Sequence, residues 1–529
     1  MNQGNTKKSK QNILSYFNNT WIILGVICAV SFLLRIIWID LGAPVTGDAS
    51  GYFWYAIDTS ITGTFPNLEC GWRCTFPNTG WSSFLSIFFM IFSSDNYLDY
   101  MNLQKYLGVI ISVVTIIPMY YFSKIFVEKK YAIIAGLLFT FNPRIIENSI
   151  LGITEPIYIL SIILMMYTFF QHSKNYPYIT FAIIGIISIV RYEGLLLFVP
   201  ISLLYFYRFR FSKRTILKYF IAVTVFLLII IPWGMMKTDL TGSDGLISNV
   251  ASGPIYYSNV IEENKNKNEE IINFLKTGIV NMFKFLGLST LPLLTFLMPL
   301  GIYVMVSKKK ISEFLIFFSI VIVLLIPAFY AYSRNFQEVR YLLPIFPIFC
   351  LFSVYFIKNI TEKIKFKKLF LILISILIIC STVAFIEYKN SDDVNQVEAY
   401  EVAKEITTLT KVITYYSQGG HLDSLRIIEA NEFPILRKDL PPSIIAIYPD
   451  NYETFQEYIS KNEKNGLEYV IVDKGDWRSK FLDDVFQNEE SYPYLHKIFD
   501  SKDIGYKNYH AKIFKINFDE FNTLSSMEP

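Results

Sequence analysis

The sequence predicts an α-helical polytopic membrane domain followed by a small C-terminal α/β domain. Of the 529 residues, 53% are hydrophobic, and they collect in long unbroken runs that soluble domains rarely contain. Clusters of Lys and Arg separate these runs in the pattern expected for loops on the cytoplasmic side. After residue 388 the composition changes to ordinary soluble patterning. The net charge of +3 is near neutral and argues against a nucleic-acid partner.

The apolar runs and basic clusters predict about eleven spans within residues 21–388. The first run, Trp21–Ile39, follows three lysines, which places residues 1–20 in the cytoplasm. The run Tyr178–Tyr207 has cytoplasmic signals at both ends, so it must cross twice, with Arg191 at its outer tip. The other predicted spans are Tyr106–Phe126, Tyr131–Asn142, Pro156–Phe170, Lys218–Met236, Leu286–Val306, Phe314–Tyr332, Tyr341–Ile357 and Leu369–Ile386.

This topology places two loops, residues 40–104 and 237–285, and the C-terminal domain, residues 389–529, on the outer face. The segment Trp81–Phe92 within the first loop is too short to span, and we expect an interfacial helix there. The predicted location is the plasma membrane, with an endoplasmic reticulum membrane as the alternative. In the C-terminal domain, helical patterns alternate with short apolar runs, which is typical of an α/β fold. The helical patterns are Val394–Thr408 and Tyr452–Asn465, and the apolar runs are Leu425–Glu429, Ser443–Ile447, Tyr469–Val472 and Lys512–Ile516.

Ionisable residues gather at the predicted outer ends of the spans. Each costs at least about 2.5 kcal/mol at membrane depth, so such residues indicate function unless a structural role explains them. Charges of both signs under the outer loops suit an anionic substrate whose tail lies in lipid. The residues are Asp48, Lys105, Arg144, Glu147, Glu155, Arg191, Glu193, Arg334, Glu338 and Arg340.

Several of these residues also have a structural interpretation. Asp48, between two glycines, has the sequence context of a turn residue that accepts backbone hydrogen bonds. Glu155 precedes a proline and suits the first turn of a helix, where the dipole favours a carboxylate. Arg144 and Glu147 are three residues apart, and we expect them to pair with one another. Arg191 has the alternative of an interfacial anchor, although its predicted depth argues against free solvation.

Cys70 and Cys74 are a close pair in the first predicted outer loop. Disulfides persist outside the cytoplasm, and no histidine near this pair would complete a metal site. We therefore expect a disulfide across this short loop. The chain has four histidines, none of them among the charged positions above, which argues against a zinc site or a histidine base.

The ordered motifs resemble those of the GT-C membrane glycosyltransferases, up to about residue 388. They are most similar to the protein O-mannosyltransferase and aminoarabinose-transferase branch, which is glycosyltransferase family 39-like. Four motifs carry the resemblance: Gly47-Asp48-Ala-x-x-Tyr52, Thr154-Glu155-Pro156, Arg191-Tyr-Glu193-Gly194 and Arg340-Tyr341-Leu-Leu-Pro344. The Trp-Trp-Asp-Tyr-Gly motif of oligosaccharyltransferases is absent from the sequence, which argues against N-glycosylation of sequons.

The resemblance implies an inverting transfer on the outer face from a polyprenyl-phosphate sugar, such as a dolichyl-phosphate sugar, to a glycan, lipid or protein. It implies Asp48 as general base and Glu155 as a second catalytic carboxylate, with Glu155 and Glu193 orienting the acceptor, the sugar or one of the arginines. It also allows a divalent cation, Mg or Mn, between these two residues, without requiring one. Where protein mannosyltransferases usually have an Asp-Glu pair, this chain has Ala49 after Asp48. The implied substrate-binding residues are Tyr52, Lys105, Arg191, Glu193, Arg334, Arg340 and Tyr341.

Other classes of function make different predictions. A transporter or flippase for a lipid-linked or anionic substrate needs charges along a path to both faces, whereas the charges here lie at outer ends only. A lipid-linked polymer ligase would be expected to carry an outer loop rich in Arg and His. A receptor leaves the embedded charges without a role.

Overall fold

The computed structural model describes residues 20–65, 78–94, 96–171, 176–253, 255, 267–308, 310–390, 396–410, 452–473 and 480–525. The chain divides into two compact units. The first unit comprises Met1–Ile39, Gly51–Phe89 and Gln104–Asn390. The second comprises Asp40–Ser50, Met90–Leu103 and Ser391–Pro529.

Among the described residues up to Asn390, all regular structure is helical. The α-helices are α1 (Thr20–Trp38), α2 (Asp48–Thr62), α3 (Thr79–Ile91), α4 (Tyr97–Val114), α5 (Ile116–Lys124), α6 (Lys129–Thr140), α7 (Pro143–Ser149), α8 (Glu155–Phe170), α9 (Tyr176–Val190), α10 (Phe198–Phe209), α11 (Lys213–Thr241), α12 (Lys267–Thr290), α13 (Leu294–Ser307), α14 (Ile311–Ser333), α15 (Phe346–Lys363) and α16 (Lys367–Asn390). Two 3₁₀ segments, Tyr192–Leu197 and Val339–Ile345, precede α10 and α15.

The helices confirm a multi-pass membrane protein. Within the described ranges, seven helical segments are long and apolar enough to cross a bilayer, and four shorter apolar helices accompany them. The long segments are Thr20–Trp38, Tyr97–Lys124, Lys213–Thr241, Glu269–Thr290, Ile311–Ser333, Val339–Lys363 and Lys367–Tyr388. The predicted total of about eleven spans and the sidedness of both termini stay predictions.

Two parts of the predicted organisation differ from the structure. The run Leu286–Val306 was expected to be one span, but α12 ends at Thr290 and α13 begins at Leu294. Pro292 explains the break, because proline lacks an N–H and disfavours helical backbone at the preceding residue. The predicted outer loop 237–285 is also substantially helical, since α11 continues to Thr241 and α12 begins at Lys267. Whether this region lies outside stays a prediction.

Close helix contacts and aromatic rings build the core of the first unit. At Gly301 in α13, an added Cβ would lie 1.9 Å from the carbonyl oxygen of Phe352 in α15, so only glycine permits this approach. Phe317 of α14 packs against Phe126 and Phe170 with ring centroids 5.1 and 5.3 Å apart. Such edge-on and tilted pairs stabilise a core beyond the area that they bury.

Arg35 of α1 is fully buried and has a structural role. Its guanidinium donates to the hydroxyls of Ser31, Ser112 and Ser149 and to the carbonyl oxygen of Thr140. These acceptors belong to α1, α4, α7 and α6, so the side chain ties four helices together. Hydrogen bonds to every side of the guanidinium offset part of the cost of burying its charge.

The tail contains the predicted mixture of helices and strands. Its helices are α17 (Gln396–Thr410), α18 (Phe455–Asn462), α19 (Lys480–Gln487) and α20 (Phe518–Ser525). Strands β1 (Tyr469–Asp473), β2 (Leu495–Asp500) and β3 (Ala511–Ile516) form an antiparallel sheet in the order β1-β3-β2. Two predicted strands thus match β1 and β3, while Leu425–Glu429 and Ser443–Ile447 lie outside the described residues.

Candidate active site

A helix break at Arg191 forms the centre of the candidate site. Helix α9 ends at Val190, Arg191 has extended backbone angles (φ −143°, ψ 122°), and a 3₁₀ segment then leads into α10. Gly194 permits the tight return, because an added Cβ would lie 2.4 Å from Ile187 Cγ2 and 2.8 Å from the Ile187 carbonyl carbon. The predicted interruption of the long apolar run is therefore confirmed.

Replacing Gly194 with Ala should disturb this return. Forcing an extra carbon into a packed position typically costs about 1–3 kcal/mol, and we expect a lower thermal midpoint together with reduced sugar transfer. Gly25→Ala is the matched control, because nothing lies within 4 Å of a Cβ added there. Equal thermal midpoints for the two variants, measured in the same detergent, would contradict this interpretation of Gly194.

Arg191 lies between two carboxylates. Its Nη1 donates to Glu155 Oε1 at 2.8 Å, and its Nη2 donates to Glu193 Oε1 at 3.0 Å. All three side chains are largely buried, with 12% of Arg191, 2% of Glu155 and 13% of Glu193 exposed. Ion pairs at such depth hold their partners firmly, because removal of one member leaves an uncompensated buried charge. The three predicted residues thus form one cluster, which we call the Arg191 triad.

The charges of the Arg191 triad are mutually stabilising. The carboxylates of Glu155 and Glu193, at 2.8 and 3.0 Å, compensate the positive charge of the buried guanidinium. The guanidinium also lies over the ring of Tyr158, 5.4 Å from its centroid. Tyr52 of α2 adds a further electrostatic interaction with Arg191. The two carboxylates compensate the charge of Arg191, and its predicted role in substrate binding stays a prediction.

Residues before Glu155 fix its position at the start of α8. Gly152 has a positive φ of 74° that favours glycine. Its carbonyl oxygen accepts hydrogen bonds from Trp81 Nε1 at 2.9 Å and from Gln104 Nε2 at 2.7 Å. Helices α3 and α4 therefore hold the segment that presents Glu155. The sequence analysis did not identify Trp81 or Gln104 as part of the site, although Trp81 opens the predicted interfacial helix.

The second arginine-containing segment joins α14 to α15. Arg340 pairs with Glu338 and lies over the ring of Tyr341, 5.6 Å from its centroid. The charges of Arg340 and Arg191 both act on Tyr341, which brings this segment next to the Arg191 triad. The Arg334 guanidinium lies over the rings of Tyr330 and Phe336, 5.6 and 5.3 Å from their centroids.

The remaining predicted residues fall at several places. Asp48 is the first residue of α2, exposed, in the second unit, and it follows Gly47, which has a φ of 56°. Tyr52, one helical turn later, is buried. Lys105 is buried in α4. Arg144 and Glu147 pair at 2.9 Å as expected. The predicted disulfide of Cys70 and Cys74 lies outside the described residues.

A further buried cation is Lys237, which was predicted to begin an outer loop. It lies near the C-terminal end of α11, where it is buried, and its Nζ donates to the hydroxyl of Tyr55 at 3.5 Å. The signal that could have identified it is a lone lysine close to the end of an apolar run.

A divalent cation between Asp48 and Glu155 stays a prediction. Among the described residues, no group of three or more His, Cys, Asp or Glu side chains is placed to hold a metal ion. Glu155 and Glu193 both face the guanidinium of Arg191, which supplies the positive charge that a cation would otherwise provide.

Comparison with known proteins supports a glycosyltransferase. Residues 279–422 match a model of the Alg9-like mannosyltransferase family. No curated protein matches the chain by sequence.

Solved structures share the fold. The Archaeoglobus fulgidus oligosaccharyltransferase in complex with Zn and sulfate is similar over 84% of this chain and 68% of its own, with 15% identity and a TM-score of 0.53. The same enzyme, AglB, in complex with an inhibitory peptide and a dolichol-phosphate is similar over 85% of this chain and 69% of its own, with 13% identity and a TM-score of 0.53. ArnT from Cupriavidus metallidurans bound to undecaprenyl phosphate covers 93% and 97%, with 10% identity and a TM-score of 0.53.

These neighbours establish the fold, and the family model that matches residues 279–422 supports a glycosyltransferase. Both point to the superfamily that the sequence motifs resemble. The chain has the GT-C fold of these membrane glycosyltransferases, and part of it matches a mannosyltransferase family model.

Proposed function

We propose that this protein transfers a sugar from a polyprenyl-phosphate donor to a glycan, lipid or protein acceptor on the outer face of the membrane. The observation that carries the proposal is the buried Arg191 triad at a helix break in a GT-C fold. Two structural neighbours were solved with dolichol-phosphate or undecaprenyl phosphate, and one was solved with an acceptor peptide. These ligands support a lipid-linked donor for this chain as well.

In the proposed reaction, Asp48 accepts the proton of an acceptor hydroxyl as its oxygen attacks the anomeric carbon of the donor. The bond between that carbon and the phosphate oxygen breaks, its electrons stay on the departing lipid phosphate, and the configuration inverts. Exposure of the Asp48 carboxylate at the start of α2 suits a group that must meet a substrate. Glu155 and Glu193, held by Arg191, would orient the acceptor or the sugar.

The leaving phosphate must be stabilised by positive charge. The arginines among the described residues differ in how far protein carboxylates already compensate their charge. Arg191 pairs with two carboxylates and Arg340 with one. Arg334 is exposed and contacts aromatic rings, so its charge is available to a ligand. We therefore rank Arg334 above the other two arginines as a phosphate contact. Lys105 interacts with other residues of the protein and stays a candidate contact for the phosphate.

A transfer assay tests this function. Purified protein in nanodiscs would be incubated with radiolabelled polyprenyl-phosphate sugars and candidate acceptors, while free polyprenyl phosphate and labelled product are quantified. We expect the two products to form in equal amounts. A transporter instead predicts that the intact donor moves across sealed vesicles without cleavage. Movement without cleavage for every donor would overturn the proposed transfer.

Chelation gives a separate prediction. Because Arg191 already compensates Glu155 and Glu193, we expect EDTA to change the transfer rate less than about twofold, as for a reaction without a required metal. The measurement compares rates with EDTA and with added Mg²⁺ or Mn²⁺ in the same preparation. A loss of activity with EDTA that Mn²⁺ reverses would show that a metal has an essential role.

A further inference from the structure

Lys237 is a buried cation whose charge the described residues leave uncompensated. Only 4% of the residue is exposed. Its Nζ donates to the Tyr55 hydroxyl at a long distance of 3.5 Å and lies 5.2 Å from the centroid of that ring. Among the described residues, no carboxylate forms an ion pair with it. A buried ammonium without an anion is costly, so its presence indicates a function.

The end of a helix does not explain this lysine. Lys237 lies four residues before Thr241, the last residue of α11, and the helix dipole acts mainly within the last turn. The dipole amounts to about half an elementary charge and offsets only a small part of the cost of burial. A full negative charge from a ligand would compensate the ammonium much better.

Aromatic rings link Tyr55 back to α11. Phe65 lies 6.2 Å from the Tyr55 ring and 5.0 Å from the ring of Trp233, which is one helical turn before Lys237 in α11. A single cation beside three rings suits a ligand that has one anionic group on an apolar or sugar body.

A short chain of contacts links Lys237 to the Arg191 triad. Tyr55 interacts with the side chain of Thr79, the first residue of α3. The preceding residue, Asn78, accepts a hydrogen bond through Oδ1 from the backbone N–H of Tyr192 at 3.2 Å. Tyr192 directly follows Arg191. The buried cation and the carboxylates of the triad are therefore joined through neighbouring residues of the first unit.

We propose that Lys237 and Tyr55 bind the phosphate of the lipid-linked sugar donor, with Phe65 and Trp233 beside its apolar part. This assignment rests on the proposed function, in which phosphate is the anion of the donor. An ammonium and a hydroxyl both donate hydrogen bonds to phosphate oxygens, and lysine acts there as a point charge. The charge of Lys237 is therefore not compensated by a described carboxylate, whereas Arg191 and Arg340 each form an ion pair with a glutamate.

Binding measurements on the full chain in detergent test this assignment without requiring turnover. The probes are undecaprenyl phosphate, the uncharged polyprenol of equal length, and inorganic phosphate as a competitor. Lys237→Met removes the charge and keeps an apolar stem, whereas Lys237→Arg keeps the charge. Lys284→Met is the matched control, because Lys284 also lies 5.2 Å from an aromatic ring centroid but is exposed.

We expect Lys237→Met to weaken binding of undecaprenyl phosphate at least about tenfold, the effect of losing one charged hydrogen bond. Binding of the polyprenol should not change, and Lys237→Arg should stay closer to the wild type. Tyr55→Phe provides a milder variant if Lys237→Met does not fold, with an expected loss of about threefold. Inorganic phosphate should displace the lipid phosphate from the wild type, since both would compete for Lys237.

The outcomes separate this assignment from the proposed function. If Lys237→Met or Tyr55→Phe, whichever folds, binds undecaprenyl phosphate as tightly as Lys284→Met, the lysine assignment is wrong, while wild-type binding still supports a lipid-phosphate donor. If the wild type binds undecaprenyl phosphate no better than polyprenol, the assignment and the proposed donor both fail. If inorganic phosphate binds through Lys237 but the lipid does not, the site recognises free phosphate and the donor assignment is overturned.

Discussion

Replacing Asp48 with Asn is expected to slow sugar transfer by about 10²–10⁴-fold, the usual contribution of a general base. Asparagine keeps nearly the same shape but cannot accept the proton of the attacking hydroxyl. Donor binding should stay within about twofold of the wild type, because the phosphate contacts are untouched. The measurements are kcat for transfer and the dissociation constant for undecaprenyl phosphate.

Asp40→Asn serves as the control for this variant. Asp40 is also an exposed acid of the second unit, and its Oδ1 accepts a hydrogen bond from the backbone N–H of Gly42 at 3.2 Å. This substitution should leave transfer unchanged. Full activity in Asp48→Asn would show that Asp48 is not the base. The carboxylates of the Arg191 triad would then be the candidates for this role.

Replacing Arg191 with Met is expected to harm both stability and transfer. Two largely buried carboxylates would lose their cation, and breaking a buried pair in this way costs about 3–5 kcal/mol. Transfer by the remaining folded protein should fall about 10²–10³-fold, as when one positioned electrostatic group is lost from an active site. Thermal unfolding in detergent and kcat/KM measure the two effects separately.

Arg144→Met is the matched control for Arg191→Met. Arg144 is equally buried and pairs with Glu147 at 2.9 Å, but it lies outside the Arg191 triad. The Arg144→Met substitution should lower the stability of the protein and leave the rate of transfer per folded molecule unchanged. Adding Glu155→Gln to Arg191→Met should restore part of the stability, because one unpaired charge disappears. Equal losses of transfer in the Arg144 and Arg191 variants would mean that the triad has only a structural role.

The sequence predicted much of the architecture because its signals are local. Apolar runs identified α1, α8, α14 and α16 within a few residues, since a membrane span requires length and hydrophobicity that composition alone reveals. Proline and the Arg-Tyr-Glu-Gly motif marked the breaks that lead into α8 and α10. The break at Pro292 was missed because apolar residues continue on both sides of it.

The partners of each buried charge were decided only by the tertiary structure. The sequence by itself determined the membrane class, the C-terminal α/β domain and a set of charged residues that lipid should exclude. It did not predict that Arg191 would pair with Glu155, 36 positions earlier, or that Lys237 would meet Tyr55, 182 positions earlier. Ion pairs and ring contacts form between side chains that packing brings together. Local sequence patterns do not show which distant residues will come into contact. The physical reason is that burial sets the cost of each charge, while the fold determines which neighbour compensates it.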